Sequence, residues 1–283
     1  MLRLAAIGDV HGRWVDADRA WFAGADYDAI LVVGDLAGLR FGPTLEIARQ
    51  LARLDGPVVV VAGNHDGPNP AQLLAEVAGR PWAGDVFTRQ LAARYAQLES
   101  VLAGRLGGYS AHEVGPAGDR VTVIVGRPMS MGGPQLSFPG FLRERFGVED
   151  LEGSAARLRE VVDGVQTERV VFVAHNGPAG LGSRRADPWG CDFRAAEGDW
   201  GDADLTAAVA YAQACGKRVL AVLAGHMHRK LRGGGDRTAS VERDGVVYIN
   251  TAQVPRIDAS GRHHVALEID GLDVRFSDVR VPA

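Results

Sequence analysis

The stretch from residue 2 to residue 12 reads LRLAAIGDVHG, a short apolar run that ends in glycine, aspartate and histidine. Four further stretches have the same form: AILVVGD at 29–35, VVVVAGNHD at 58–66, VVFVAHN at 170–176 and VLAVLAGHMH at 219–228. Apolar runs of about four to eight residues, rich in Val and Ile, are typical of strands buried on both faces of a sheet. The sequence therefore predicts five buried strands, each with polar residues at its carboxyl end.

Helical periodicity lies between these predicted strands. Residues 43–54 place Leu45, Ala48 and Leu51 on one helical face, and residues 149–163 have a similar apolar face. Strands that alternate with helices indicate βαβ units and a largely parallel sheet.

The pattern changes after residue 240. Residues 246–250, 263–270 and 272–279 read as three further strands, and Asp270-Gly271 between the last two is a hairpin signal. This end of the chain therefore indicates antiparallel pairing. The economical architecture is an α/β fold of two packed sheets with helices outside.

The polar residues at the predicted strand ends are metal-ligand types. Parallel strands deliver such residues to one edge of a sheet, where ligands bind in open α/β folds. If one carboxylate bridges, seven groups supply four contacts to each of two ions. Imidazole, carboxylate and amide oxygen suit Mn, Fe, Zn, Ni or Co. The candidate ligands are Asp9, His11, Asp35, Asn64, His175, His226 and His228.

Other features are predicted to be structural. His112, His263 and His264 fit no ligand spacing, and a structural role is expected for each. Asp66 has two open interpretations, orienting a neighbouring residue or capping the following helix, of which the cap is favoured.

The ordered series GDVHG, GD, GNHD, H and GHMH, from Asp9 to His228, resembles the calcineurin-like metallophosphoesterases. The resemblance implies a four-layer α/β/β/α sandwich of two mixed sheets and a site for two divalent ions. It implies one ion on Asp9, His11, Asp35 and His228. The second would lie on Asp35, Asn64, His175 and His226, with Asp35 bridging. It also implies that His65 is the catalytic histidine beside the leaving group.

Two details narrow the resemblance. The phosphoprotein phosphatases of this superfamily carry Asp-Arg-Gly shortly after Gly-Asp, whereas residues 34–40 read GDLAGLR, so no acid is assigned to orient His65. The segments HNGPAGLG at 175–182, GDWGDADL at 198–205 and NTAQVPRI at 250–257 look like a little-characterised bacterial and plastid subgroup. The resemblance therefore favours small phosphoesters over phosphoproteins.

Composition and sequence pattern argue against several other classes of protein. With 31 Lys+Arg against 35 Asp+Glu, the formal net charge is −4, so a broad nucleic-acid-binding face is not expected. The sequence has no apolar run of the ~18 residues that a membrane span needs, and its start lacks the features of a signal peptide. Only two cysteines are present, which argues against a disulfide framework. A cytoplasmic protein without a predicted protein partner is expected.

The chain is expected to form a single domain over residues 1–283, with a helical insertion near 84–108 and a long active-site loop near 177–202. Arg184 and Arg185 in that loop are candidate substrate-binding residues, because paired guanidinium groups bind anions. Trp189 and Trp200 are candidates to cover an aromatic moiety. The alternative is a solvated arginine pair and two tryptophans in a local core.

These observations predict a metal-dependent phosphoesterase. It would hydrolyse a small phosphodiester or phosphomonoester with hydroxide activated by two ions, manganese being the expected metal, and His65 would be the general acid. The alternative is a non-catalytic metal-binding scaffold of the same fold. The expected partner is a small-molecule phosphoester.

Overall fold

The computed structural model describes residues 1–282, which form thirteen strands in two sheets. The strands are β1 Leu2–Ile7, β2 Ala29–Val32, β3 Val58–Val61, β4 Leu106–Gly107, β5 Ser110–Val114, β6 Val121–Val125, β7 Arg169–Asn176, β8 Arg218–Gly225, β9 Ser240–Arg243, β10 Val246–Asn250, β11 Ile257–Asp258, β12 Gly261–Asp270 and β13 Asp273–Val281. The helices are α1 Asp16–Gly24, α2 Phe41–Leu51, α3 Pro70–Val77, α4 Thr88–Leu102, α5 Pro139–Phe146, α6 Leu151–Gly164 and α7 Ala203–Ala214, with a 3₁₀ helix at Pro81–Phe87.

Both sheets are mixed. The first has the order β11-β12-β1-β2-β3-β4, with β13 paired to β12, and its strands β1, β2, β3 and β4 run parallel. The second has the order β5-β6-β7-β8-β10-β9, in which only the edge strands β5 and β9 pair antiparallel. All five predicted strands are present: β1, β2 and β3 in the first sheet, β7 and β8 in the second.

Side chains that alternate along each strand build two apolar cores. In β1, Leu4 and Ala6 face the core between the sheets, where they join Val123 and Val171 of the second sheet. Ala5 and Ile7 of β1 belong to the other core, which includes apolar residues of the helices. Burial of a large aliphatic side chain contributes about 1.5–3 kcal/mol, which favours covering both faces of each sheet. The layers are therefore α/β/β/α, as predicted.

The C-terminal strands follow the prediction with a shift of one residue. β12 and β13 form an antiparallel hairpin in which Asp270 pairs with Asp273. The two-residue loop is therefore Gly271-Leu272 rather than Asp270-Gly271, and Gly271 adopts a φ of 63° that suits glycine. β10 pairs antiparallel with β9 but also parallel with β8, so it extends the parallel part of the second sheet.

The segment predicted as a helical insertion contains α4, whose buried face carries Leu91, Tyr95, Leu98 and Leu102. The chain then forms β4, which extends the first sheet beside β3. β6, the run VTVIV, is a buried strand that the sequence analysis did not predict. Among residues 1–282, no helix combines the length and the apolar character needed to cross a bilayer.

Candidate metal centre and its cavity

The carboxyl ends of five parallel strands meet at one edge of the two sheets. β1, β2 and β3 are followed by Asp9 and His11, Asp35, and Asn64, respectively. β7 contains His175, and β8 is followed by His226 and His228. The structure brings six of the seven candidate ligands together in two groups, and within each group the potential ligand atoms lie within 4.8 Å of one another. The seventh, Asn64, places its Oδ1 atom 2.9 Å from His175 Nε2.

The first group consists of Asp9, His11 and His228. Asp9 Oδ2 lies 3.4 Å from His228 Nε2 and 3.9 Å from His11 Nε2. The two Nε2 atoms lie 3.1 Å apart. Three ligand-type atoms therefore converge on one small volume.

The second group consists of Asp35, His175 and His226. His175 Nδ1 lies 2.7 Å from the Val33 carbonyl oxygen, which directs one N–H of the ring toward that carbonyl and leaves Nε2 facing the centre. Burial, followed by the charge of His175, lowers the pKa of His226 to about 3, so this imidazole is neutral near pH 7. Burial opposes the protonation of His175, but the Asp35 and Asp9 carboxylates raise its pKa, so a cation at this group would take the place of the Nε2 proton.

Asp35 lies between the two groups. Its Oδ2 atom is 3.7 Å from His11 Nε2, and its Oδ1 atom is 3.5 Å from His175 Nε2. Each carboxylate oxygen thus faces a different group, an arrangement that allows Asp35 to bridge them. Asp35 Oδ1 also accepts the His65 backbone N–H at 2.9 Å, which fixes the carboxylate plane.

The donor set fits two divalent cations. Asp9 Oδ2 is buried and has no hydrogen-bond partner within the described chain, a costly situation for a carboxylate oxygen unless a cation binds it. Burial opposes the ionisation of Asp9, but the His228 contact and the nearby histidines hold its pKa below the usual range. Burial likewise opposes the ionisation of Asp35, yet His175, His65 and His11 lower its pKa. Both carboxylates are therefore ionised and available.

Glycine precedes several ligands because the backbone passes very close to the opposite side chain. A Cβ atom at Gly63 would overlap Asp35 Oδ1, and one at Gly225 would overlap Asp9 Oδ1. The ligands themselves are strained: Asp9, His11, Asp35 and His226 have φ values of 40°, 43°, 51° and 66°. Such conformations cost about 1–3 kcal/mol each and cluster at functional sites.

Asp66 fixes the backbone beneath the centre, and the prediction that it caps a helix is wrong. Its buried carboxylate accepts the Leu36 and Gly63 N–H groups, each at 2.7 Å. It thereby connects the turns that present Asp35 and Asn64. The cap of α3 is instead Asn69, whose side chain accepts the Gln72 N–H at 2.9 Å.

His65 stands beside the centre. Its Nε2 atom lies 4.0 Å from Asp35 Oδ2, and its side chain is 30% exposed. Its Nδ1 atom is buried and has no hydrogen-bond partner among residues 1–282, so no acid orients this ring, as the sequence indicated. Nε2 is therefore the nitrogen available to a bound molecule.

The histidines expected to be structural lie elsewhere. His112 contacts Ser110 Oγ at 3.0 Å, His263 contacts Asp278 at 2.8 Å, and His264 contacts the Tyr27 hydroxyl at 2.8 Å. None of the three belongs to either ligand group found among the described residues.

A cavity of about 780 Å³ opens over the centre, and His65 and five of the candidate ligands line it. Its walls come from four segments: residues 76–79, the loop at 131–137, residues 192–200 and residues 230–232. The loop at 131–137 follows β6. The run VTVIV at 121–125 would have revealed this loop, because its β-branched residues are typical of a strand.

The structure places Arg184 and Arg185 outside the lining of this cavity. Arg185 Nε lies 2.7 Å from Glu197 Oε1 at the surface. Trp189 is buried and its indole N–H donates to the Gly225 carbonyl at 3.2 Å, which gives it the local-core role. Trp200 does line the cavity, and Arg194 and Arg232 are the arginines that do so. No spacing in the sequence marks these two arginines.

Comparisons with known proteins agree with this fold. The family model described as calcineurin-like phosphoesterase matches residues 2–230. No curated protein gives a significant sequence match. A dimetal phosphatase from Danio rerio is similar in structure, with a TM-score of 0.53, 14% identity, and coverage of 98% of this chain and 95% of that one.

Two further solved structures are similar over nearly their whole length. One crystal structure has a TM-score of 0.58 and 11% identity, covering 97% of this chain and 98% of its own. An archaeal phosphodiesterase has a TM-score of 0.39 and 11% identity, covering 98% of this chain and all of its own, 100%. At these identities the first of the two supports the fold alone.

Proposed function

Because this chain belongs to the calcineurin-like phosphoesterase family, we propose that it hydrolyses a small phosphomonoester or phosphodiester at a centre of two divalent ions. The observation that carries the proposal is Asp35, whose two carboxylate oxygens face two separate ligand groups on the floor of a cavity. We assign one ion to Asp9, His11, Asp35 and His228, and the other to Asp35, Asn64, His175 and His226. Manganese is the ion we expect, with Fe, Zn, Ni and Co as alternatives suited to the same ligands.

Two divalent ions at such a centre supply an activated water nucleophile and positive charge for the phosphoryl oxygens. The protein's own contribution is to position and to transfer protons. His65 holds a proton at Nε2, the nitrogen available to the cavity, and donates it to the leaving oxygen. Asn64 contributes a neutral oxygen, which limits negative charge beside the anionic substrate.

The cavity supports a small substrate. Its volume of about 780 Å³ lies within the range of small-molecule sites, roughly 300–1,000 Å³. The Danio rerio structure is that of a phosphatase, and a similar reaction at this centre is part of the proposal.

The test combines metal analysis with turnover. Protein purified without chelator and loaded with Mn is assayed with p-nitrophenyl phosphate and bis-p-nitrophenyl phosphate. Release of p-nitrophenol that disappears after chelation and returns with Mn supports the proposal. Two bound ions without turnover on either ester, or on a wider phosphoester panel, would favour the scaffold alternative.

A further inference from the structure

The cavity is larger than a phosphoryl group requires, and one wall has an unusual composition. Phe193, Arg194 and Trp200 from one segment meet Lys230 and Arg232 from another. Lys230 Nζ is 2.6 Å from Asp236 Oδ1, so its charge is compensated. Arg194 and Arg232 differ from Lys230, because their charges are not compensated in this way.

Trp200 forms the base of this wall. A Cβ atom at Gly133 would lie 2.8 Å from Trp200 Cε2, so the indole packs directly on the backbone of Gly132 and Gly133. The Gly133 N–H donates to the Trp200 carbonyl at 3.0 Å. The Arg194 guanidinium carbon lies 4.4 Å from the indole centroid. The ring is fixed, and it in turn supports the guanidinium.

Phe193 supports the second arginine. Its ring meets Trp200 edge to face, with centroids 5.2 Å apart and planes at 89°. The Arg232 guanidinium carbon lies 5.8 Å from the Phe193 centroid. Two aromatic rings in contact therefore hold two guanidinium groups on the same wall.

Neither guanidinium group has a carboxylate partner within 4.0 Å among residues 1–282. Asp192, the acid on this wall, pairs instead with Arg237 at 3.3 Å and accepts the Arg232 backbone N–H at 3.0 Å. A guanidinium stacked by its face keeps its N–H edge free for an oxyanion, and the stacking restricts its orientation. An uncompensated pair of this kind is a binding site for a negative group.

We propose that Arg194 and Arg232 bind a second oxyanion, a phosphate or carboxylate, on the same molecule whose phosphoester lies at the metal centre. The inference rests on the proposed function and narrows its substrate class to small phosphoesters with two anionic groups. Trp200 and Phe193 are positioning residues, because they act through the arginines.

The test is a binding measurement on the full metal-loaded chain. Calorimetry compares alkane bisphosphonates, with spacers of three to six carbons, with the monophosphonates of equal length. One charge-assisted interaction predicts that at least one bisphosphonate binds about 10-fold tighter than its monophosphonate. The double variant Arg194→Gln plus Arg232→Gln should reduce that ratio to near one.

The matched control is Arg184→Gln plus Arg185→Gln, which removes the same charge from two arginines outside the cavity. This control variant should bind the bisphosphonate tighter than the monophosphonate by the same ratio as the wild type. Equal binding at every spacer length in the wild type, or a ratio that survives in the Arg194/Arg232 variant, would overturn the inference.

Failure of the inference and failure of the proposed function give different results. p-Nitrophenyl phosphate has a single anionic group, so its turnover does not need the second position. If the protein hydrolyses p-nitrophenyl phosphate but binds bisphosphonates no tighter than monophosphonates, only the second anion-binding position is overturned. An arginine-dependent preference without turnover supports the second position and counts against the esterase.

Discussion

The side chains of Asn64 and His175 meet across the gap between the two sheets, with Asn64 Oδ1 2.9 Å from His175 Nε2. Asn64 follows β3 of the first sheet, and His175 belongs to β7 of the second. His175 Nδ1 donates to the Val33 carbonyl, so Nε2 is the ring nitrogen that faces Asn64. When Nε2 is protonated it donates to Asn64 Oδ1, and without that proton a cation would have to lie between the two acceptor atoms, so either arrangement joins the two sheets.

The first prediction concerns the bridge. Asp35→Asn should reduce metal content at both positions, because the neutral amide removes the charge that both ligand groups share. Elemental analysis after Mn loading should give two ions per chain for the wild type and fewer than one for the variant. Asp26→Asn, at an exposed carboxylate, is the control. One tight ion in wild type and variant alike would contradict the shared centre.

The second prediction concerns His65. His65→Ala should leave metal content unchanged and lower kcat by about 10²–10⁴-fold on an alkyl phosphoester, because general acid catalysis is lost. The loss should be smaller on p-nitrophenyl esters, whose leaving group needs little protonation. His112→Ala, in β5, is the control. An equal loss on both kinds of ester would remove His65 from the leaving-group step.

The candidate ligands were predictable from the sequence because each follows directly after a buried strand. A run such as VVVVAG predicts a buried parallel strand, and parallel strands present their carboxyl ends at one edge of the sheet. The assignment of strands to sheets was not predictable from these runs. β3 and β7 are similar apolar segments, yet they lie in different sheets, because pairing depends on long-range packing.

The positions of Arg194 and Arg232 on the cavity wall could not be predicted, for a related reason. Arg194 and Arg232 come from separate loops, and their proximity depends on Trp200 packing against Gly132 and Gly133. Arg184 and Arg185 are adjacent in sequence and follow a candidate ligand, so the sequence favoured them as the substrate-binding arginines. Adjacency in a loop without periodicity does not determine which side chains reach a cavity.

The third prediction concerns close backbone approach. Gly225→Ala should lower metal affinity at the first group, because the new Cβ would displace the Asp9 carboxylate. Gly63→Ala should affect both ions, because it would displace Asp35. Gly38→Ala is the control, since nothing lies within 4 Å of a Cβ there. Metal titration by calorimetry measures each effect, and wild-type affinity in Gly63→Ala would contradict the steric argument.

The fourth prediction concerns Glu76 on the cavity wall. Burial raises the pKa of Glu76 to about 7, while its hydrogen bond from the Phe138 N–H, at 2.8 Å, opposes the shift. Below about pH 4.5 the carboxyl is protonated in the folded and unfolded states alike. As the pH rises toward 7, the unfolded chain releases the proton first, so the folded state loses stability on the order of 3 kcal/mol.

Glu76→Gln keeps a hydrogen-bond acceptor but removes the titration. In urea unfolding of metal-free protein, the variant should match the wild type near pH 4.5 and exceed it progressively up to pH 7. Above that pH the difference should stay constant. Glu46→Gln, at an exposed carboxylate, should show no such trend. A difference that does not change with pH would contradict the raised pKa.

The last prediction concerns the buried ion network that supports the cavity loops. Arg127 binds Asp202 and Asp204, each at 2.9 Å, and all three side chains are at most 2% exposed. The Ser130 hydroxyl also donates to Asp202 at 2.7 Å, so the loop after β6 is joined to the segment that carries Trp200. Removing the cation would leave two buried carboxylates without a counter-charge.

Arg127→Ala should therefore lower the free energy of unfolding by about 3–5 kcal/mol, the usual cost of breaking a buried ion pair. Arg120→Ala removes an exposed pair with Glu113, and its cost should be about 0–1 kcal/mol. Denaturant unfolding of both variants measures the contrast. Comparable losses would show that the buried network adds no more to stability than a surface pair. The support of the Trp200 segment would then have to come from the Trp200 carbonyl, which accepts the Gly133 N–H and the Asn176 side-chain amide.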